Sequence, residues 1–238
     1  MLLAAYDARR PTRDVDLSAR TLANNTETIA TAIRNVLDDD MDDGLTFDRD
    51  AITAETIRDQ DDYYSSVRVS VTGRLSVARL HFHVDVNVAD PISPAPEPVA
   101  LPRLLGGEIH IVGYPIEMVL AEKIVTAIER GNVNTRWRDF VDIGALSATR
   151  PPEAGRLDQS LRAVARHRLV QLVPLADGLV GYADLAQTRW RSWRAKHRLE
   201  DSTPEHFDEL LATVTALADP AITGEANGTW DPTTHAWH

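Results

Sequence analysis

The sequence of 238 residues contains no cysteine. Without thiols the chain cannot form disulfides, ligate zinc through cysteine or use a cysteine nucleophile. It also lacks a run of about 18 apolar residues, which a transmembrane helix requires. The opening segment MLLAAYDARR carries an acid and two arginines where a secretory signal needs an apolar stretch. These absences predict a cytoplasmic protein that does not enter a membrane.

The composition is that of a folded domain whose charges are unevenly distributed. Hydrophobic residues make up 43% and charged residues 26% of the chain, which excludes disorder over most of its length. The net charge is −11, yet residues 121–200 carry 14 basic and 9 acidic side chains. Residues 1–120 carry 11 basic and 20 acidic side chains, and residues 201–238 carry 7 acidic and no basic ones. The basic middle segment is therefore where a polyanion would bind.

The pattern of apolar residues predicts strands first and helices afterwards, an α+β fold with mixed or antiparallel strands. Strands are predicted at 14–17, 51–58, 65–72, 76–88 and 108–112, with a turn at 72–73 and a proline-rich loop at 90–102. Helices are predicted at 22–37, 115–130, 136–148, 153–172, 183–198 and 204–218. We therefore expect a core domain at 1–114, a helical domain at 115–222 that completes the site, and an irregular tail at 223–238.

Three aspartates on predicted strands give the first chemical signal. Asp14 and Asp16 are two residues apart and share one face of a strand, where like charges repel unless a cation neutralises them. Asp85 lies on the polar face of a second, alternating strand. Two such strands side by side would gather three carboxylates, as two-metal phosphoryl or nucleotidyl transfer requires. The alternative for the Asp14 pair is a simple exposed strand.

Two histidines on the same strand face as Asp85 offer a rival interpretation. His81 and His83 could bind zinc or iron, for which imidazole is a suitable ligand. Strand residues advance about 3.3 Å each, so one ion could hold two neighbours but not all three side chains. Such histidines are also common as ordinary sheet residues.

Lys123 is the second signal. It falls in the middle of the apolar face of the helix predicted at 115–130. Lysine is rarely buried without a partner, so the ammonium either extends past its neighbours to water or is directed into a cleft toward a phosphate or carboxylate. The following helix carries Arg138, Asp139 and Asp142, with Asp142 at the edge of its apolar face and Asp139 nearly opposite that face. Arg138 and Asp142 are spaced to form either a surface ion pair or a pair that fixes Lys123.

A basic segment near the end of the helical region provides a candidate RNA-binding surface. Tryptophans alternate with cations here, as in surfaces that hold a phosphate backbone. The alternative is a helix with a solvated arginine face and buried tryptophans. The tentative RNA-binding residues are Arg189, Arg191, Arg194, Lys196 and Arg198.

Three blocks of sequence resemble the AbiEii/MenT nucleotidyltransferase toxins, DNA polymerase β-like proteins of bacterial toxin–antitoxin and abortive-infection systems. The blocks are RPTRDVDL at 10–17, PIEMVLAEKI at 115–124 and RDFVD at 138–142, and their order and spacing match over roughly the first 150 residues. The resemblance implies a nucleotidyltransferase-type sheet with flanking helices, followed by a helical half.

The resemblance also implies roles for individual residues. Asp14 and Asp16 would bind Mg²⁺, with Asp85 as a third carboxylate and two ions in all. Lys123 would contact the phosphates of a nucleoside triphosphate, and Asp142 or Asp139 would belong to the catalytic set. Further nucleotide contacts would come from Arg10, Thr12 and Arg138. On this basis we expect Lys123→Ala to abolish transfer and to leave the fold nearly intact.

One feature departs from the family. Its members carry a Gly-Gly or Gly-Ser pair before the Asp-x-Asp strand, where backbone amides hold the triphosphate. The present sequence has no glycine before Gly44. This departure predicts either that the pair is encoded upstream of Met1 or that the activity of this form is impaired.

The resemblance leaves three functions to distinguish. The first is Mg²⁺-dependent transfer of a nucleoside monophosphate to an acceptor hydroxyl, with the 3′ end of tRNA as the first choice and a cognate antitoxin as a protein partner. The second is the same transfer to a Ser, Thr or Tyr hydroxyl of a protein. The third is a non-catalytic protein that binds RNA or the antitoxin.

Overall fold

The computed structural model describes residues 14–39, 41–58, 65–88, 91–103 and 106–238. These residues form two compact units, one up to Val88 and one from Pro91 onward. The α+β class is confirmed. The expected boundary at residue 114 falls inside the second unit, because the strands before it belong with the helices that follow. Among the described residues, no helix is long and apolar enough to cross a membrane.

The first unit is a five-stranded mixed sheet with one helix. Its elements are β1 (Asp14–Ala19), α1 (Thr26–Val36), β2 (Leu45–Phe47), β3 (Thr53–Arg58), β4 (Ser65–Leu75) and β5 (Ala78–Val88). β1 runs parallel to β5, β5 is antiparallel to β4, and β4 pairs on its other edge with both β2 and β3. The predicted strands and the first helix are therefore present, with boundaries shifted by a few residues.

Alternation along the strands gives this sheet one apolar and one polar face. Val67, Val69 and Val71 of β4 and Val84 and Val86 of β5 are buried on the apolar face. Helix α1 covers that face with Ile29, which is fully buried in the same cluster. The helix begins after Asn25, whose side chain accepts a hydrogen bond of 2.8 Å from the Thr28 amide. The chemistry-bearing side chains are consequently left on the opposite face.

The turn between β4 and β5 lies later than the sequence predicted. Gly73 is inside β4, paired with Phe47 of β2 and Leu80 of β5. A Cβ added there would lie 3.0 Å from Phe47 Cδ1 and 3.1 Å from the Thr46 carbonyl, so glycine lets β2 approach. The chain reverses between Leu75 and Ala78, with Ser76 at a φ of 53°. The prediction of a turn at 72–73 is wrong for this reason.

The second unit combines a two-stranded hairpin with a helical core. Its elements are β6 (Glu97–Pro102), β7 (Glu108–Gly113), α2 (Ile116–Arg130), a 3-10 turn (Gly131–Val133), α3 (Trp137–Thr149), α4 (Ala154–Arg168), α5 (Leu175–Gly178), α6 (Tyr182–His197), α7 (Phe207–Thr223), β8 (Trp230–Asp231) and β9 (Ala236–Trp237). The core is rich in aromatic residues: Trp137, Phe140, Tyr182, Trp190 and Phe207 pack with ring centroids 5.3–6.4 Å apart. The helices predicted after residue 115 are all present.

The proline-rich segment was expected to be a loop but ends in strand β6. Pro98 and Pro102 lie in this strand opposite Val112 and Glu108 of β7. Proline is tolerated because, in the part of the chain that the structure describes, β6 pairs only with β7, so the missing N–H groups can lie on its other edge. Arg156 of α4 donates to Glu97 at 3.2 Å, and this contact ties the hairpin to the helices.

The C-terminal segment expected to be irregular forms the small hairpin β8–β9. The Trp230 amide donates to the Pro152 carbonyl at 3.1 Å, and the Trp237 indole donates to the Leu217 carbonyl at 3.2 Å. Trp230 is only 2% exposed and belongs to the core of the helical unit. The sequence showed no periodicity here because each strand has only two residues.

Trp230→Ala should therefore destabilise the protein by about 3–5 kcal/mol, because it empties a buried aromatic site. Glu225→Ala, at an exposed position in the same segment, should change the free energy of unfolding by less than about 0.5 kcal/mol. Urea denaturation of both variants checks this. Equal stability of the two variants would show that the hairpin is not part of the core.

Candidate active site

The three aspartates predicted from the sequence lie on the polar face of the first unit's sheet. In the parallel register of β1 and β5, Asp14 is opposite His83 and Asp16 is opposite Asp85. Residues opposite each other in a parallel pair point to the same side, so these four side chains share the face. Asp16 is exposed, whereas Asp85 is partly buried. The register therefore brings Asp14, Asp16 and Asp85 onto adjacent strands and one face.

Asp85 is held by an arginine that sequence reasoning missed. Arg68 lies opposite Asp85 in the β4–β5 register. Its Nε donates to Asp85 Oδ1 at 2.8 Å and its Nη2 donates to Oδ2 at 2.7 Å. These hydrogen bonds raise the pKa of Arg68 above its already high value. The signal was available, because Arg68 occupies a polar position of the alternating strand β4, but the partner strand and register were needed to see it.

The histidines contact aspartate and each other. His83 Nδ1 lies 3.2 Å from Asp14 Oδ1, and the rings of His81 and His83 are 5.1 Å apart in a T-shaped arrangement. Asp85 pairs with Arg68 and not with either histidine. Across the described residues, no group of three His, Asp or Glu side chains is arranged to hold an ion by itself. Within those residues, neither the histidine–aspartate set nor the three aspartates by themselves form such a group.

The polar face nevertheless fits a magnesium ion that takes part of its ligands from a substrate. Mg²⁺ uses one or two protein carboxylates together with substrate phosphates and water. Asp14 and Asp16 supply such oxygens from one strand. The third carboxylate does not fit equally well, because both oxygens of Asp85 already accept hydrogen bonds from Arg68.

In the second unit, Lys123 lies between two aspartates of the neighbouring helix α3. Its Nζ donates to Asp139 Oδ1 at 2.9 Å and to Asp142 Oδ2 at 2.8 Å. Arg136 donates from Nε to Asp139 Oδ2 at 2.5 Å. Asp139 and Asp142 are each 5% exposed, so two buried carboxylates are compensated by the largely buried Lys123 and by Arg136, whose side chain is 49% exposed. Lys123 is therefore not a snorkelling surface lysine.

The charges in this network determine the protonation of Asp139. Burial alone would raise the pKa of this carboxyl, but the Lys123 ammonium and the hydrogen bond from Arg136 outweigh burial and lower the pKa below its usual value. The ionised carboxylate is the form that the fold stabilises. Arg136 was missed from the sequence as a member of the site, although its i, i+3 spacing to Asp139 was a usable signal.

Two expectations about α3 need correction. Asp139 was placed opposite the apolar face, yet it is buried against α2 together with Asp142. Of the two alternatives for Asp142, a surface pair with Arg138 or a contact that fixes Lys123, the structure shows the contact with Lys123, while Arg138 is exposed. Helix α3 packs against both α2 and α7, and the positive charge of Lys123 compensates the two carboxylates that are buried there.

The basic surface of α6 is smaller than the sequence suggested. Arg189, Arg191, Lys196 and Arg198 are exposed. Arg194 is 6% exposed, and it donates from Nε to Thr203 Oγ1 at 2.9 Å and from Nη2 to the Glu200 and Thr203 carbonyls at 2.8 Å. Arg194 thus holds the loop between α6 and α7 and faces away from solvent. Arg10 and Thr12, expected to contact the nucleotide, lie outside the described residues.

A mixed sheet that carries paired aspartates, followed by helices with a lysine–aspartate network, is the arrangement expected of a nucleotidyltransferase. A family model described as the nucleotidyl transferase AbiEii toxin of type IV toxin–antitoxin systems matches residues 1–213. The chain therefore belongs to the AbiEii nucleotidyl transferase toxin family. A comparison with curated proteins finds no match.

The contacts of Lys123 reverse the expectation that its loss would spare the fold. Lys123→Met leaves two buried carboxylates with Arg136 as their remaining described cation, so it should destabilise the protein by about 3–5 kcal/mol. The chain's other lysine, the exposed Lys196, provides the matched control, and Lys196→Met should change stability by less than about 0.5 kcal/mol. Thermal and urea unfolding measure both variants.

A double variant separates charge from packing. Adding Asp142→Asn to Lys123→Met removes one of the orphaned charges and should recover part of the lost stability. An unchanged free energy of unfolding in Lys123→Met would contradict the buried network.

The lowered pKa of Asp139 predicts how stability depends on pH. A carboxyl whose pKa falls on folding contributes stability above its unfolded pKa of about 3.9, and that contribution is lost as the pH falls through the lower folded pKa. Asp139→Asn should therefore destabilise the protein at pH 7, and the difference from the native chain should shrink below about pH 4. Urea titrations across this range test the sign, and a difference that grows on acidification would contradict it.

Proposed function

We propose that this AbiEii-family chain is a Mg²⁺-dependent enzyme that transfers a nucleoside monophosphate from a nucleoside triphosphate to the 3′ end of tRNA. The observation that carries the proposal is the register of β1 and β5, which sets Asp16 opposite Asp85 and Asp14 opposite His83, two residue pairs earlier on the same face. Asp14 and Asp16 share this face at a cost in repulsion, which a divalent cation offsets. We expect the enzyme to act in the cytoplasm, where its substrates are found.

The proposed reaction is an in-line displacement at phosphorus. The acceptor hydroxyl oxygen bonds to the α-phosphorus, the bond from that phosphorus to the bridging oxygen of the β-phosphate breaks, and pyrophosphate leaves. The hydroxyl proton passes to the solvent. A bound Mg²⁺ would supply charge neutralisation at the phosphates. Asp14 and Asp16 would hold it from strand β1.

Lys123 has a hydrogen-bond donor left for a nucleotide phosphate. Its ammonium carries three N–H groups, and two of them bind Asp139 and Asp142. The third can donate to a phosphate oxygen while the two carboxylates hold the side chain in place. Asp139 and Asp142 act in this proposal by fixing the ammonium, and exposed Arg138 is assigned to the nucleotide as well.

An RNA acceptor is supported by the charge of the helical unit. Arg189, Arg191, Lys196 and Arg198 present exposed cations on and beside one helix. Such groups bind phosphates irrespective of base sequence. The family also implies a cognate antitoxin as a partner. The acidic segment at 201–238 offers the antitoxin a binding surface whose charge is opposite to that of the RNA-binding surface.

Incubation of the full chain with α-labelled nucleoside triphosphates, Mg²⁺ and a mixture of tRNA and protein tests the proposal. Label should appear in tRNA, and it should vanish with chelator or with tRNA whose 3′ end has been oxidised. Asp16→Asn should lower incorporation at least about 100-fold, whereas Asp201→Asn, at an exposed aspartate outside the site, should not.

The other functions are outcomes of the same experiment. Label on protein hydroxyls in place of tRNA would identify a protein-directed transferase. Mg²⁺-dependent nucleotide binding without any labelled product would identify a non-catalytic binder, and either result would overturn the tRNA assignment.

A further inference from the structure

We propose that Arg68 serves as a built-in cation for Asp85, so that Asp14 and Asp16 bind the divalent ion without Asp85, and that removal of Arg68 converts Asp85 into an additional ligand. This inference rests on the proposed function, because it concerns how the same sheet face binds its metal. It differs from the two-ion, three-carboxylate site expected from the sequence.

The geometry of the pair is the first argument. Arg68 binds Asp85 through two donors, Nε at 2.8 Å and Nη2 at 2.7 Å, one to each carboxylate oxygen. This fork is the strongest arrangement between an arginine and a carboxylate. The guanidinium occupies the side of the carboxylate on which an ion would contact both oxygens at once. Asp85 cannot present its two oxygens to a metal until the guanidinium moves away.

The position of Arg68 in the sheet is the second argument. Arg68 lies opposite Asp85 on one side and opposite Glu55 of β3 on the other. Both described hydrogen bonds of its guanidinium go to Asp85, which is less exposed than Glu55. The positive charge is therefore committed to the carboxylate that lies opposite Asp16 on the neighbouring strand.

Burial is the third argument. The side chain of Asp85 is 16% exposed, against 44% for Asp14. A carboxylate that is withdrawn from water needs a permanent partner, and a divalent ion that arrives with each substrate does not provide one. Asp14 is open enough to exchange ligands, and Asp85 is not. The two carboxylates thus have different tasks on one face.

Binding of Mn²⁺ to the full chain, followed by the electron paramagnetic resonance signal of the free ion, tests the inference without any turnover. Arg68→Gln should raise the Mn²⁺ affinity by about tenfold or add a second bound equivalent, since Asp85 becomes available. Arg74→Gln is the matched control. It removes an exposed arginine from the same strand and face, and it should change the affinity by no more than about threefold.

The neutral double variant Arg68→Gln/Asp85→Asn gives the sharpest result. It deletes the whole pair without changing the net charge, so its Mn²⁺ affinity should stay within about threefold of the native chain. A loss of about tenfold or more would show that Asp85 is a native ligand and would overturn the inference. An unchanged affinity in Arg68→Gln, or an equal gain in Arg74→Gln, would overturn it as well.

Failure of the proposed function gives a different pattern. If the native chain binds no Mn²⁺, the metal role of Asp14 and Asp16 fails and the proposed function fails with it. A gain of binding in Arg68→Gln still supports the role of Arg68 as the cation that withholds Asp85, and the absence of a gain overturns that role. Circular dichroism verifies folding of each variant. If Arg68→Gln does not fold, Arg68→Lys replaces it, because an ammonium cannot hold both oxygens in a fork. A smaller gain is then expected, and no gain overturns the inference.

Discussion

Two carboxylates on neighbouring strands, Asp16 and Asp85, face the same side of a sheet, and such a pair repels unless positive charge lies beside it. The fold meets this constraint with Arg68, which grips both oxygens of Asp85. The alternation of apolar and polar residues in β4 and β5 restricts the pairing register between these two strands. A shift of one residue would move the valines to solvent and the charged residues into the core, so hydrophobic burial fixes the register and the register fixes the electrostatics.

In the helical unit, two cations offset the negative charge of a second pair of carboxylates. Asp139 and Asp142 are withdrawn from water, where an unpaired carboxylate would cost several kcal/mol. Lys123 contacts both, and Arg136 shares Asp139 with it, so the group is internally compensated. A network of this kind adds little net stability over apolar packing but is costly to break. It holds the ammonium group of Lys123 at a fixed place between the two carboxylates.

The sequence predicted the features that depend on local pattern and missed those that depend on partners. Alternation located β5 and its polar face, and helical periodicity placed Lys123 among apolar neighbours. The paired hydrogen bonds from Arg68 to Asp85 depend on which strands are neighbours and in what register, and the amino-acid sequence alone does not show this. The strand at Glu97–Pro102 was hidden by its prolines, and the hairpin around Trp230 was too short to show a period. The sequence linked Lys123 to Asp142 only as one of two alternatives and placed Asp139 away from the apolar face, so it did not show that Lys123 contacts two buried carboxylates.

The central claim is that the cation-binding carboxylates are Asp14 and Asp16, while Asp85 stays with its arginine. The most direct test is a crystal structure of the full chain soaked with Mn²⁺ and a non-hydrolysable nucleoside triphosphate, with the ion located by anomalous scattering. We expect an anomalous peak within coordination distance of Asp14 and Asp16, with the Arg68–Asp85 fork intact. An ion bound to Asp85 with Arg68 displaced would contradict it.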